Sequence, residues 1–81
     1  MELQLIRKLM RYGELHIDVK EGEWFLALAL REPSGAIGGI IYERGKRLQF
    51  VMQQLLEHAE NEYKEILVRY KRGTQSELDL W

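Results

Sequence analysis

Gly45, Lys46 and Arg47 join a β-branched stretch, "GGIIYER", to a helical pattern. Glycine followed by lysine at a strand-to-helix junction suits anion binding, because the first N–H groups of a helix are free and its dipole favours negative charge. A nucleotide phosphate loop also needs four residues between its first glycine and the Gly-Lys pair, then a hydroxyl residue for magnesium. Here five residues separate Gly39 from Gly45, and Arg47 stands where Ser or Thr belongs. "GAIGG" sits within a strand pattern, so it is no dinucleotide fingerprint either. What is left is a cationic corner of Arg44, Lys46 and Arg47. Cations there oppose the helix dipole, a small cost that points to some use for them.

Other polar groups offer less. His16 and Asp18 share a face if residues 14–20 form a strand, and His58 precedes Glu62 by four residues in a helical pattern, so each pair could touch. Two histidines, no cysteine and no HExxH spacing would require a metal site assembled from distant elements. Ser34 lies in a turn with no base marked beside it. The expectation is a protein with no catalytic residue, no metal and no cofactor, hence not an enzyme.

The elements that must position these residues follow from periodicity. In residues 2–12, Leu3, Leu5, Ile6, Leu9, Met10 and Tyr12 form a wide apolar face opposite Gln4, Arg7, Lys8 and Arg11, which is a helix. Gly13 then reads as its left-handed cap. "ELHIDVK" alternates Leu15, Ile17 and Val19 against polar residues, a strand with one wet face. After an "EGE" turn, "WFLALAL" is apolar on both sides, as a central strand is; a second layer or a partner is expected on its small-residue face. "EPSG" suits a type I turn and leads into "AIGGIIYER" as a third strand. From Leu48, apolar residues recur every three or four positions to Tyr70, predicting one long helix that ends near Gly73 and overhangs the sheet. A helix ending near Asn61, followed by a terminal hairpin around "RGTQ", is the competing arrangement. The predicted architecture is a single α+β domain over residues 1–73, α-β-β-β-α with a three-stranded antiparallel meander, followed by a short acidic tail, 74–81.

Bulk properties bound the function. At 81 residues the chain is one small domain, and its net charge of −1 supplies no overall field toward nucleic acid or an anionic membrane. The interrupted apolar residues of "MELQLIRKLMRYG" form neither a signal core nor a membrane span. With no cysteine, the chain reads as cytoplasmic.

Two surfaces are predicted to bind. The overhanging half of the long helix offers Tyr63, Ile66, Leu67 and Tyr70, and the tail offers Leu78, Leu80 and Trp81, whose alternation with acids could add a strand to a sheet edge. This is the leading reading: a non-enzymatic protein-interaction module that occludes a protein partner or forms a homodimer through the long helix. The alternative is a nucleic-acid binder using Arg44, Lys46 and Arg47 with Arg7, Lys8 and Arg11 of the first helix. Helix, three strands and helix, with "GKR" opening the second helix, is similar in order to double-stranded-RNA-binding domains. That resemblance implies phosphate contacts from positions 44, 46 and 47. The same order also looks like that of very small phage-encoded inhibitors of host defence, which implies a phage or mobile-element regulator that works by covering a surface.

Overall fold

A computed structural model describes the backbone of residues 2–79 and the side chains of residues 3–72. The elements are α1 (Glu2–Met10), β1 (Gly13–Lys20), β2 (Glu23–Arg31), β3 (Ile37–Gly45) and α2 (Leu48–Asp79). This is the expected α-β-β-β-α order, with the strands in an antiparallel sheet of order β1-β2-β3.

α1 stops at Met10 and not at Tyr12. The Arg11 and Tyr12 N–H groups donate to the carbonyls of Lys8 and Leu9 at 3.3 and 3.0 Å, a tighter final turn that swings the chain into the sheet. Gly13 is not a left-handed cap, since among the described residues positive φ is confined to Glu21, Gly22 and Gly35. It opens β1, and a Cβ there would collide with the Ala29 carbonyl oxygen.

Turn chemistry sets the register. Glu21 and Gly22 both hold positive φ, 51° and 76°, as a two-residue type I′ hairpin requires, and this closes Lys20 against Glu23. In the second hairpin the Gly35 N–H donates to the Glu32 carbonyl at 2.9 Å, the type I turn expected of "EPSG", and Gly35 follows at φ 92°. The extra residue is absorbed by an irregularity beside Leu30 and Arg31, opposite Ile37 and Gly39.

Both helices lie on one face of the sheet. Leu26, Leu28 and Leu30 of β2 and Ile41 of β3 meet Leu9 of α1 and Val51, Met52, Leu55, Ala59 and Ile66 of α2 in one apolar core. α2 lies over β2 and β3, and the nine-residue α1 lies along β1 and α2. At about 1.5 Å per residue α1 is too short to cover all of β1. Ile17 and Val19, expected on a buried face, are consequently 43% and 51% exposed.

α2 runs through Gly73 to Asp79, so there is no terminal hairpin over the described residues and 74–79 continue the helix where a separate tail was expected. Its 32 residues span about 48 Å, which accounts for most of the molecule's 54 Å long axis. Ile66 is its last buried side chain among the described residues, packed over Gly38, where a Cβ would meet Ile66 Cγ2 at 3.1 Å. Residues 68–79 extend onward for about 18 Å.

Candidate interaction surface

Because β2 is central and its register with both neighbours is regular from Trp24 to Leu30, side chains line up in rows across the face opposite the helices. One row is Glu14, Ala29 and Ile40; the next is His16, Ala27 and Tyr42; the third is Asp18, Phe25 and Arg44. The middle of this face is small or aromatic, and Ile40 and Tyr42 project from β3, Tyr42 with 67% of its surface exposed. Among the described residues no element covers it. His16, Asp18, Phe25, Ala27, Tyr42 and Arg44 border a shallow depression of about 760 Å³. Polar groups stand at its margins: Arg31 reaches the Glu14 carboxylate and donates to the Gly35 carbonyl at 2.9 Å, and His16 Nε2 lies 4.0 Å from Glu14 Oε2.

The cationic corner adjoins this face at Arg44. Gly45 turns toward the helices, where a Cβ would be 2.8 Å from Val51 Cγ2, so glycine lets α2 pack close to the end of β3. Arg47 takes the N-cap position, since its carbonyl accepts the first helical bond, from the Val51 N–H, at 3.0 Å. Its guanidinium lies 6.0 Å from the centre of the Phe50 ring. Arg44, Lys46 and Arg47 are all exposed. Arg7, Lys8 and Arg11 are exposed too but do not join them. Arg11 stands where α1 feeds β1 beside Leu30, whereas Lys46 follows Gly45 beside Trp24, and those two positions on β2 are about 20 Å apart.

Of the residues expected to bind a partner, Ile66 is 3% exposed within the core and Tyr63 is half-buried, its ring edge-on to Tyr12 at 5.3 Å. Neither has much surface to offer. Leu67 is half-buried and Tyr70 lies at the surface. The side chain of Leu78, and Leu80 and Trp81 entirely, lie outside the described residues.

The histidines pair differently from the local expectation. His58 Nδ1 lies 3.3 Å from Glu43 Oε1 of β3 without a hydrogen bond between them, Asp18 Oδ1 accepts the Val19 N–H at 2.8 Å, and His16 Nε2 stands 4.0 Å from Glu14 Oε2. Among the described residues no three His, Cys, Asp or Glu side chains are grouped to hold a metal ion, and no helix is long and apolar enough to cross a membrane.

Sequence periodicity points at the helix and gives the open sheet face less weight. The signal for that face is the two-sided apolar pattern of "WFLALAL" together with the alternation of Ile40 and Tyr42. No family model, curated protein or solved structure matches the chain.

Proposed function

We propose that this protein is a non-enzymatic interaction module, a small regulator or inhibitor that acts by covering a surface of a protein partner. The observation that supports this most is the open sheet face: the half-buried Phe25 and Ala27 and the exposed Ile40 and Tyr42 form an apolar centre on the side of the sheet away from both helices. Large apolar patches on a small domain mark interaction sites, and an aromatic centre with a charged margin is the usual anatomy of a binding surface. The exposed stretch of α2 beyond Ile66 supplies a second contact on the same partner or a neighbouring one.

Parent protein and Tyr42→Glu, coupled to beads and exposed to the same host extract, test the reading. Tyr42 is exposed, so the variant should keep the parent's Tm, and a protein retained by the parent should be lost. Equal retention by both would remove the open face from the contact.

A second reading, nucleic-acid binding, is favoured by one juxtaposition: Arg44 lies a row away from Tyr42, with the exposed Lys46 and Arg47 just beyond. Aromatic and cationic groups so arranged suit stacking with backbone contact. Fluorescence anisotropy with labelled duplex and single-stranded DNA and RNA would then show binding that weakens steeply with salt and disappears in the Lys46→Glu/Arg47→Glu double variant. No binding at low salt excludes it.

A further inference from the structure

We infer that β1 is a homodimer edge, and that two copies of this chain join their β1 strands antiparallel into one six-stranded sheet. The strand is long and regular: eight residues without proline or bulge, at the margin of the sheet. Natural edges of this kind are normally shortened, kinked or covered unless something pairs with them.

The backbone groups are already directed outward. In a two-residue hairpin the residues flanking the turn bond to each other, so Lys20, Asp18, His16 and Glu14 turn their N–H and C=O toward β2, while Val19, Ile17 and Leu15 turn theirs away. The Val19 N–H accordingly finds only the neighbouring Asp18 carboxylate, at 2.8 Å.

The side chains choose both the partner and the register. With Ile17 on a two-fold axis, Glu14 stands opposite Lys20 of the second copy, His16 opposite Asp18, Leu15 opposite Val19, and Ile17 opposite itself. Glu14 then meets Lys20 and Asp18 meets His16 on the wet face, and apolar meets apolar on the helix side. Shifting the pairing by two residues sets Glu14 against Asp18 in one direction and Asp18 against Asp18 in the other, and a one-residue slip turns the apolar side to the wet face. β3, the other edge, offers no such match, because its charges Glu43 and Arg44 point to opposite faces and cannot meet across an antiparallel pair.

The exposed apolar surface fits the same arrangement. Ile17 and Val19 are the residues of β1 that α1 fails to cover, and beside them Ile6, Leu15 and the 61%-exposed Met10 line a shallow groove. In the dimer, Val19 of the second copy, opposite Leu15, lies over that groove. Lys20, without an ion-pair partner among the described residues, gains Glu14 of the other copy.

Sedimentation equilibrium of the protein alone tests this, whatever binds the open face. The parent should dimerise in the micromolar range. Glu14→Lys and Lys20→Glu each place like charges opposite one another twice per dimer and should each weaken association by about tenfold or more. Mixed one to one, the two variants should form a heterodimer. The lysine introduced in one chain then faces the glutamate introduced in the other, and the unchanged Lys20 of the first faces the unchanged Glu14 of the second. Ile17→Lys, at an exposed position on the axis, should give a folded monomer. A parent that stays monomeric at several hundred micromolar, an Ile17→Lys variant as dimeric as the parent, or a mixture that remains monomeric would each overturn the proposal.

Discussion

Glu21 holds φ 51° in the first hairpin, in a region where an L-residue other than Asn, Asp or Gly is strained by about 1–2 kcal/mol. The type I′ turn demands that conformation because its twist matches the strands on either side. Glu21→Asn should therefore raise stability by about 1 kcal/mol, seen as a rise in Tm of about 5 °C. Gly13 is the opposite case, already the residue its site requires. A methyl group there would collide with the Ala29 carbonyl, and Gly13→Ala should lower stability by about 3 kcal/mol or more in urea titration. A small loss in that titration would mean that β1 can shift away from β2, and that the close approach is not a constraint.

At the scale of the element, α2 begins poorly for a helix of its length. Its N-cap is Arg47, preceded by Lys46, and its first turn carries no acidic residue. Asp at the N-cap would accept a backbone N–H and suit the dipole, so Arg47→Asp should stabilise the protein by about 1 kcal/mol, measured as an upward Tm shift. If nucleic acid is bound here, the same variant should weaken that binding, which would show what the unfavourable cations are kept for. An unchanged Tm would mean that packing of Leu48 and Val51 against the sheet, more than the cap, sets where the helix begins. The far end of α2 follows a different rule. Beyond Ile66 it has no sheet beneath it, and the backbone continues helical to Asp79 on local helix propensity.

For the molecule as a whole, the layer of two helices on three strands closes one core and leaves apolar surface outside it among the described residues, including Ile40 and Tyr42 on the open sheet face, Ile17 and Val19 in the far half of β1, and Val68 on α2 past Ile66. An 81-residue domain has little stability in reserve, so covering such surface by association should be measurable. If β1 pairs with β1, the parent's Tm should climb by a few degrees for each tenfold rise in concentration above the dissociation constant, and that of Ile17→Lys should not. A concentration-independent Tm for both would place the second copy elsewhere or nowhere.

Much of this molecule could be read locally. The alternation of Trp24, Leu26, Leu28 and Leu30, the Pro and Gly of "EPSG", and the three-and-four spacing from Leu48 onward each depend on neighbours a few residues away, so order, strand direction and the long helix were legible. Gly45 was legible as a corner, though not the contact with Val51 that calls for glycine there. Relations across the chain were not legible. Ile66 looked like a surface anchor because its helical phase is apolar, but whether an apolar stripe is covered depends on where the sheet lies beneath it, and Gly38 lies under Ile66. Ile17 and Val19 looked buried by alternation, but a nine-residue α1 does not reach them. Asp18 and Arg44 lie 26 residues apart in the chain and share one row of the sheet only because two hairpin registers bring them there. Periodicity states which side of an element is apolar; the lengths and placement of the other elements determine which part of that side meets the core and which part is left for a partner.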